Sequence, residues 1–164
     1  MARSTGSVSE GPTEGGKLRP AALPSAELQQ LWFACLRRDW SSLVVVPSHP
    51  GGSSLPVARA LAEIGGLHRS SPVKLITAEG MDMSATSRLI IDITSHVATG
   101  GLAIVAIDSV LSNQAGIPVA LSVDAALLCV DLQEADVTSA TRTLELIGRD
   151  RFVGSVTLKP GSSK

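Results

Sequence analysis

The chain has 164 residues, 44% of them apolar, and a formal net charge of −1 at pH 7. That length suits one domain, and the near balance of charge leaves no electrostatic case for nucleic acid or an anionic membrane surface. Only 2% of the residues are aromatic and none is Tyr, so the core must be built from Val, Ile, Leu and Ala.

Residues 1–24 are rich in Gly, Ser, Pro, Thr and Glu and carry few large apolar groups. Such a stretch buries too little surface to offset its ordering entropy, which predicts a disordered, removable tail. Residues 160–164 form a second, short tail. The start of the chain lacks the basic and apolar regions of a signal peptide. No apolar run approaches the roughly 20 residues that span a bilayer. The expectation is a cytoplasmic protein with one folded domain over residues 25–159.

Ser25 is placed to cap a helix that starts at Ala26. Leu28, Leu31, Trp32, Cys35 and Leu36 follow at helical spacing, and the helix should end near Asp39 and Trp40. Trp32 and Phe33 read as packing residues, and Trp40, beside Arg37 and Arg38, as a candidate subunit contact. Residues 43–46 (LVVV) read as a strand buried on both faces. A Pro/Gly/Ser-rich turn follows over 47–54. Leu55, Ala58, Leu61 and Ala62 then mark a helix that Gly65 and Gly66 should stop.

Residues 73–77 form a second strand and 77–83 a polar turn. Residues 84–99 read as a helix with Ala85, Leu89, Ile93 and Val97 on one face, stopped by Gly100 and Gly101. A third strand covers 102–107 and ends at Asp108. Residues 109–121 read as a loop with a possible helical turn. A fourth strand at 125–130, a helix at 138–148 carrying Ala140, Leu144 and Ile147, and a last strand at 152–158 complete the chain. This alternation predicts an α/β domain: a three-layer, mostly parallel sheet with helices on both faces.

The candidate site lies where the first strand meets its helix. Strand, Gly/Ser loop and helix N-terminus is the layout that presents backbone amides to a phosphate. The candidate phosphate-loop residues are Ser48, Pro50, Gly51, Gly52, Ser53 and Ser54. The full pattern GxxxxGK[ST] is absent: the remnant is about one residue short, and Ser53 follows Gly52 where a Lys belongs. The plainer alternative is a simple turn before a helix, with Pro56 in the first turn where its missing N–H is harmless. Arg59 and Lys74 lie off the loop. His49 reads as a solvent-facing turn residue, with contact to an anion as the alternative.

Asp108 ends an apolar strand at the edge where open α/β sheets place ligands. It is either a candidate metal ligand, together with Glu79 and Ser54, or a cap for the following turn. Cys35 and Cys129 read as reduced core residues. No His/Cys/Asp spacing suggests zinc, and Ser48 has no GxSxG context.

Four segments taken together resemble the cytoplasmic domain of bacterial tyrosine kinases, the exopolysaccharide-associated branch of the MinD/ParA-type P-loop ATPases. They are AELQQLWFACLRRDWSSLVVVPSHPGG, VKLITAEG at 73–80, LAIVAIDSVL at 102–111 and VDAALLCVDLQEADVTSATRTLELIG at 123–148. The resemblance places Ser53 at the family's phosphate-contacting Lys and Ser54 at its magnesium-ligating Ser/Thr. Thr77 and Glu79 stand where the family has Asp, and Asp108 matches its second magnesium-coordinating Asp. The Tyr residues such kinases phosphorylate on themselves have no counterpart.

Phosphoryl transfer depends on a cation over the phosphates and carboxylates on a metal. The resemblance with the Lys missing therefore implies a degenerate, non-catalytic protein, with no cofactor or at most weak ATP or ADP binding. By resemblance it would serve as a regulatory or scaffolding partner in bacterial exopolysaccharide biosynthesis or export. Its partner would be a membrane polysaccharide co-polymerase or synthase component, which would bring it to the inner membrane, and self-association into a homo-oligomer is compatible with this. Two alternatives stay open: an active ATPase or kinase using atypical residues or a partner-supplied Lys, and a degenerate MinD/ParA-like positioning or pilus-assembly protein.

Overall fold

The computed structural model of the chain describes residues 25–159. The two expected tails lie outside the described residues.

Five strands form one sheet: β1 (Ser42–Pro47), β2 (Val73–Thr77), β3 (Leu102–Ala106), β4 (Ala125–Asp131) and β5 (Phe152–Leu158). Their spatial order is β2-β3-β1-β4-β5, and every neighbouring pair is parallel. β1 lies at the centre, with Val44 opposite Val105 on one side and Ala126 on the other. All six of its residues are buried. That explains why the strand is a continuous apolar run rather than an alternating one.

Alternate residues of the central strands feed two cores. Leu43, Val45, Leu102, Ile104, Leu127 and Cys129 pack under α1 (Ala26–Cys35) and α2 (Leu55–His68). Val44, Val46, Ala103, Val105, Ile107 and Ala126 pack under α3 (Thr86–Ala98), α4 (Gly116–Ser122) and α5 (Val137–Ile147). The molecule is therefore the expected three-layer α/β sandwich. Fully burying side chains such as Leu61 or Ile104 contributes about 1.5–3 kcal/mol each. Among the described residues no helix is long and apolar enough to cross a membrane.

Several local expectations need correction. Ser25 does cap α1, accepting from the Leu28 amide at 3.1 Å, but the helix stops at Cys35 rather than near Asp39. Trp40 is not a surface contact. It is 7% exposed, donates from Nε1 to the Cys35 carbonyl at 2.9 Å and meets Trp32 edge-on. Phe33, expected to pack, is half exposed against His68. α2 runs through Gly65 and Gly66 to His68. Gly65 is there for space: a Cβ on it would lie 2.8 Å from the buried Trp32 ring. The stretch after β3 contains a real helix, α4, whose Val119 and Ala120 are fully buried. Gly100, by contrast, ends its helix as expected, at φ +91°.

Candidate functional site

The site is built at the carboxyl edge of the sheet, where the loops leaving β1 and β3 turn to opposite faces. This is the crevice in which open α/β sheets hold ligands. The β1–α2 loop is shaped by Gly51 at φ +85° and by a bond from the Gly52 amide to the His49 carbonyl at 3.2 Å. Gly52 sits directly on the His49 ring, so a Cβ there would be 2.9 Å from Cε1. His49 is thus folded inward and only 6% exposed, contrary to the solvent-facing expectation. Its Nδ1 and the Oγ of Ser48 are buried without a hydrogen-bond partner.

Ser54 opens α2, as expected of the loop's last residue, but not as a side-chain cap. Its Oγ donates instead to the Ile107 carbonyl at 2.8 Å, tying the loop to the end of β3. The N-terminus of α2 is closed by a carboxylate from the turn after β2. Glu79 Oε2 accepts from the Ser54 amide at 3.2 Å and from Ser53 Oγ at 3.0 Å. The Leu55 amide donates to Ser53 Oγ at 3.4 Å, and Pro56 has no N–H to offer. A carboxylate here complements the positive end of the helix, as a phosphate would.

Asp108 is held just as fully. Its Oδ2 accepts from the Gly80 amide at 2.7 Å and from Asn113 Nδ2 at 3.0 Å, and Asn113 Nδ2 also reaches the Met81 carbonyl at 2.9 Å. Asp108 therefore fastens the turn after β2 to the loop after β3 rather than capping the following turn alone. The sequence-predicted metal trio is brought to one edge, with Ser54 Oγ and one oxygen each of Glu79 and Asp108 engaged by the protein. Among the described residues no group of three His, Cys, Asp or Glu side chains could hold a metal ion.

Asn113 and Asp136 carry weight that the sequence did not signal. Asp136 caps α5, accepting from the Ser139 amide at 2.7 Å. That amide holds its carboxyl below the usual range, and His49 adds to the shift. Cys35 and Cys129 are buried and unpaired, and burial pushes both thiols up to about 11. They are core residues, as expected.

The sequence matches no protein-family model and no curated protein.

Proposed function

We propose that this chain is a catalytically degenerate member of the P-loop ATPase and tyrosine-kinase-like class. In this reading it works as a regulatory or scaffolding partner in bacterial exopolysaccharide biosynthesis or export. The observation that carries the non-catalytic part is the chemistry of the β1–α2 loop. Ser53 stands where a phosphate-neutralising Lys is needed, and the carboxylate of Glu79 lies against the Ser53 hydroxyl and the Ser54 amide at the start of α2. A negative charge at that place repels the phosphates that catalysis must stabilise. The pathway rests on the resemblance of the four segments alone. The same resemblance supplies a membrane polysaccharide co-polymerase or synthase component as partner, and with it a place at the inner membrane.

The test is genetic and biochemical. Loss of the gene should lower exopolysaccharide yield, and the Asp108→Asn variant should restore it as well as the wild type does. The protein should also co-purify with the co-polymerase. Unchanged yield in the deletion strain, or failure of Asp108→Asn to rescue while the protein accumulates normally, would defeat the reading.

A further inference from the structure

Glu79 does more in this geometry than satisfy an amide. It joins the loop after β1 to the turn after β2, and the Gly80 amide beside it passes the connection on to Asp108. Resting on the reading of residues 48–54 as a phosphate-loop remnant, we infer that Glu79 is an autoinhibitory latch: an internal anion that holds the loop closed and competes with phosphate-bearing ligands for the amide at the start of α2.

Three observations converge on it. The first is the seat itself, where one carboxylate oxygen takes both the Ser54 amide and the Ser53 hydroxyl. A phosphate oxygen brought to the same donors would meet a full negative charge within contact distance, and like charges at that range disfavour one another strongly in a partly dry site. The second is that the latched loop is imperfectly satisfied. Ser48 Oγ and His49 Nδ1 are buried in it with no partner. Unpaired buried polar atoms raise the energy of the state that contains them. The loop that carries the latch therefore also carries an uncompensated polar cost. The third is a place for the latch to go. Glu79 also lines a cleft of about 320 Å³ beside β2, and Arg88 of α3 lines the same cleft. In the released form the carboxylate would leave Ser54 for this cleft, and the loop amide would be free.

The experiment is a titration of inorganic pyrophosphate into the 15N-labelled full chain, followed at the Ser54 and Gly52 amides. Wild type, Glu79→Gln and Asp108→Asn are compared. Gln keeps an acceptor for the Ser54 amide, so the fold is retained while the charge is removed. The latch predicts that Glu79→Gln binds pyrophosphate about tenfold or more tightly than wild type, with the largest shift at Ser54. Asp108→Asn removes an equal charge at the same edge without touching the seat, and it should gain much less. No gain in Glu79→Gln overturns the latch. So does an equal gain in Asp108→Asn, which would assign the effect to the general field of the edge. The non-catalytic reading fails on a different observation, ATP turnover by the wild type, so the two can fall separately.

Discussion

The loops leaving β1 and β3 are neighbours on the same sheet edge, yet they differ in how far they are closed by their own residues. The β3–α4 loop is closed largely from within. The Ser109 carbonyl accepts from the amides of Ser112 and Asn113 at 3.1 and 2.9 Å, its hydroxyl accepts from the Leu111 amide, and Asn113 Oδ1 accepts from Ala115. The β1–α2 loop depends on groups from elsewhere. The Ser48 amide leans on the Cys129 carbonyl, the Ser54 hydroxyl on Ile107 and the Ser54 amide on Glu79. It alone of the two contains buried polar atoms without partners. Local closure is expected to give the stiffer loop, and remote closure with unpaired atoms the one that opens more easily.

The largest expected effect lies in the self-closed loop. Asn113→Ala removes the bonds to Met81, Asp108 and Ala115 together, and should lower stability by about 2–3 kcal/mol in denaturant unfolding. A loss under about 0.5 kcal/mol would mean that this loop is no better anchored than its neighbour.

Gly52→Ala comes next. The added methyl meets the His49 ring at 2.9 Å and Pro47 at 3.0 Å, so about 1–3 kcal/mol should be lost and the His49 ring resonances should shift. Ser48→Ala should have the opposite sign or none. Deleting an unpaired buried hydroxyl removes a desolvation penalty, so unfolding should show a change within about 0.5 kcal/mol or a gain of up to about 1 kcal/mol. If Ser48→Ala were as damaging as Asn113→Ala, the contrast between the loops would be lost.

The last effect appears only at high pH and reaches beyond both loops. Burial raises the thiols of Cys35 and Cys129 from 9.0 to about 11. A group whose folded pKa is raised contributes stability that is fully present below its unfolded value and fades as pH climbs through the folded one. Stability should therefore sag between pH 9 and 11, and Cys35→Ser/Cys129→Ser should flatten that sag. Thiol reagents at pH 8 should label the native chain only as fast as it opens.

The sheet was legible in the sequence because strands buried on both faces are written as unbroken apolar runs. β3, at Leu102–Ala106, begins where the pattern says it should and is buried throughout. The candidate edge was also legible, since Gly51, Gly52, Ser54, Glu79 and Asp108 do come together there. Their partners were not. No local pattern says that Glu79 reaches back across the sheet to Ser54, 25 residues earlier in the chain, or that Asp108 is tied to Gly80 and Asn113. His49 and Trp40 were misread for another reason: they are turned inward by near neighbours, Gly52 against the His49 ring and the Cys35 carbonyl and Trp32 ring at Trp40. Gly65 was misread for a related reason. Its missing side chain makes room for Trp32, which the sequence places more than thirty positions upstream.

The central proposal is that the loop after β1 is the remnant of a phosphate loop without its chemistry. Loss of the loop Lys should cost several kcal/mol of transition-state stabilisation, on the order of a thousand-fold in rate or more. The most direct measurement is ATP hydrolysis by the purified chain with magnesium, wild type beside Asp108→Asn. The account predicts background phosphate release from both. Turnover clearly above background in the wild type, and lost in Asp108→Asn, would contradict it.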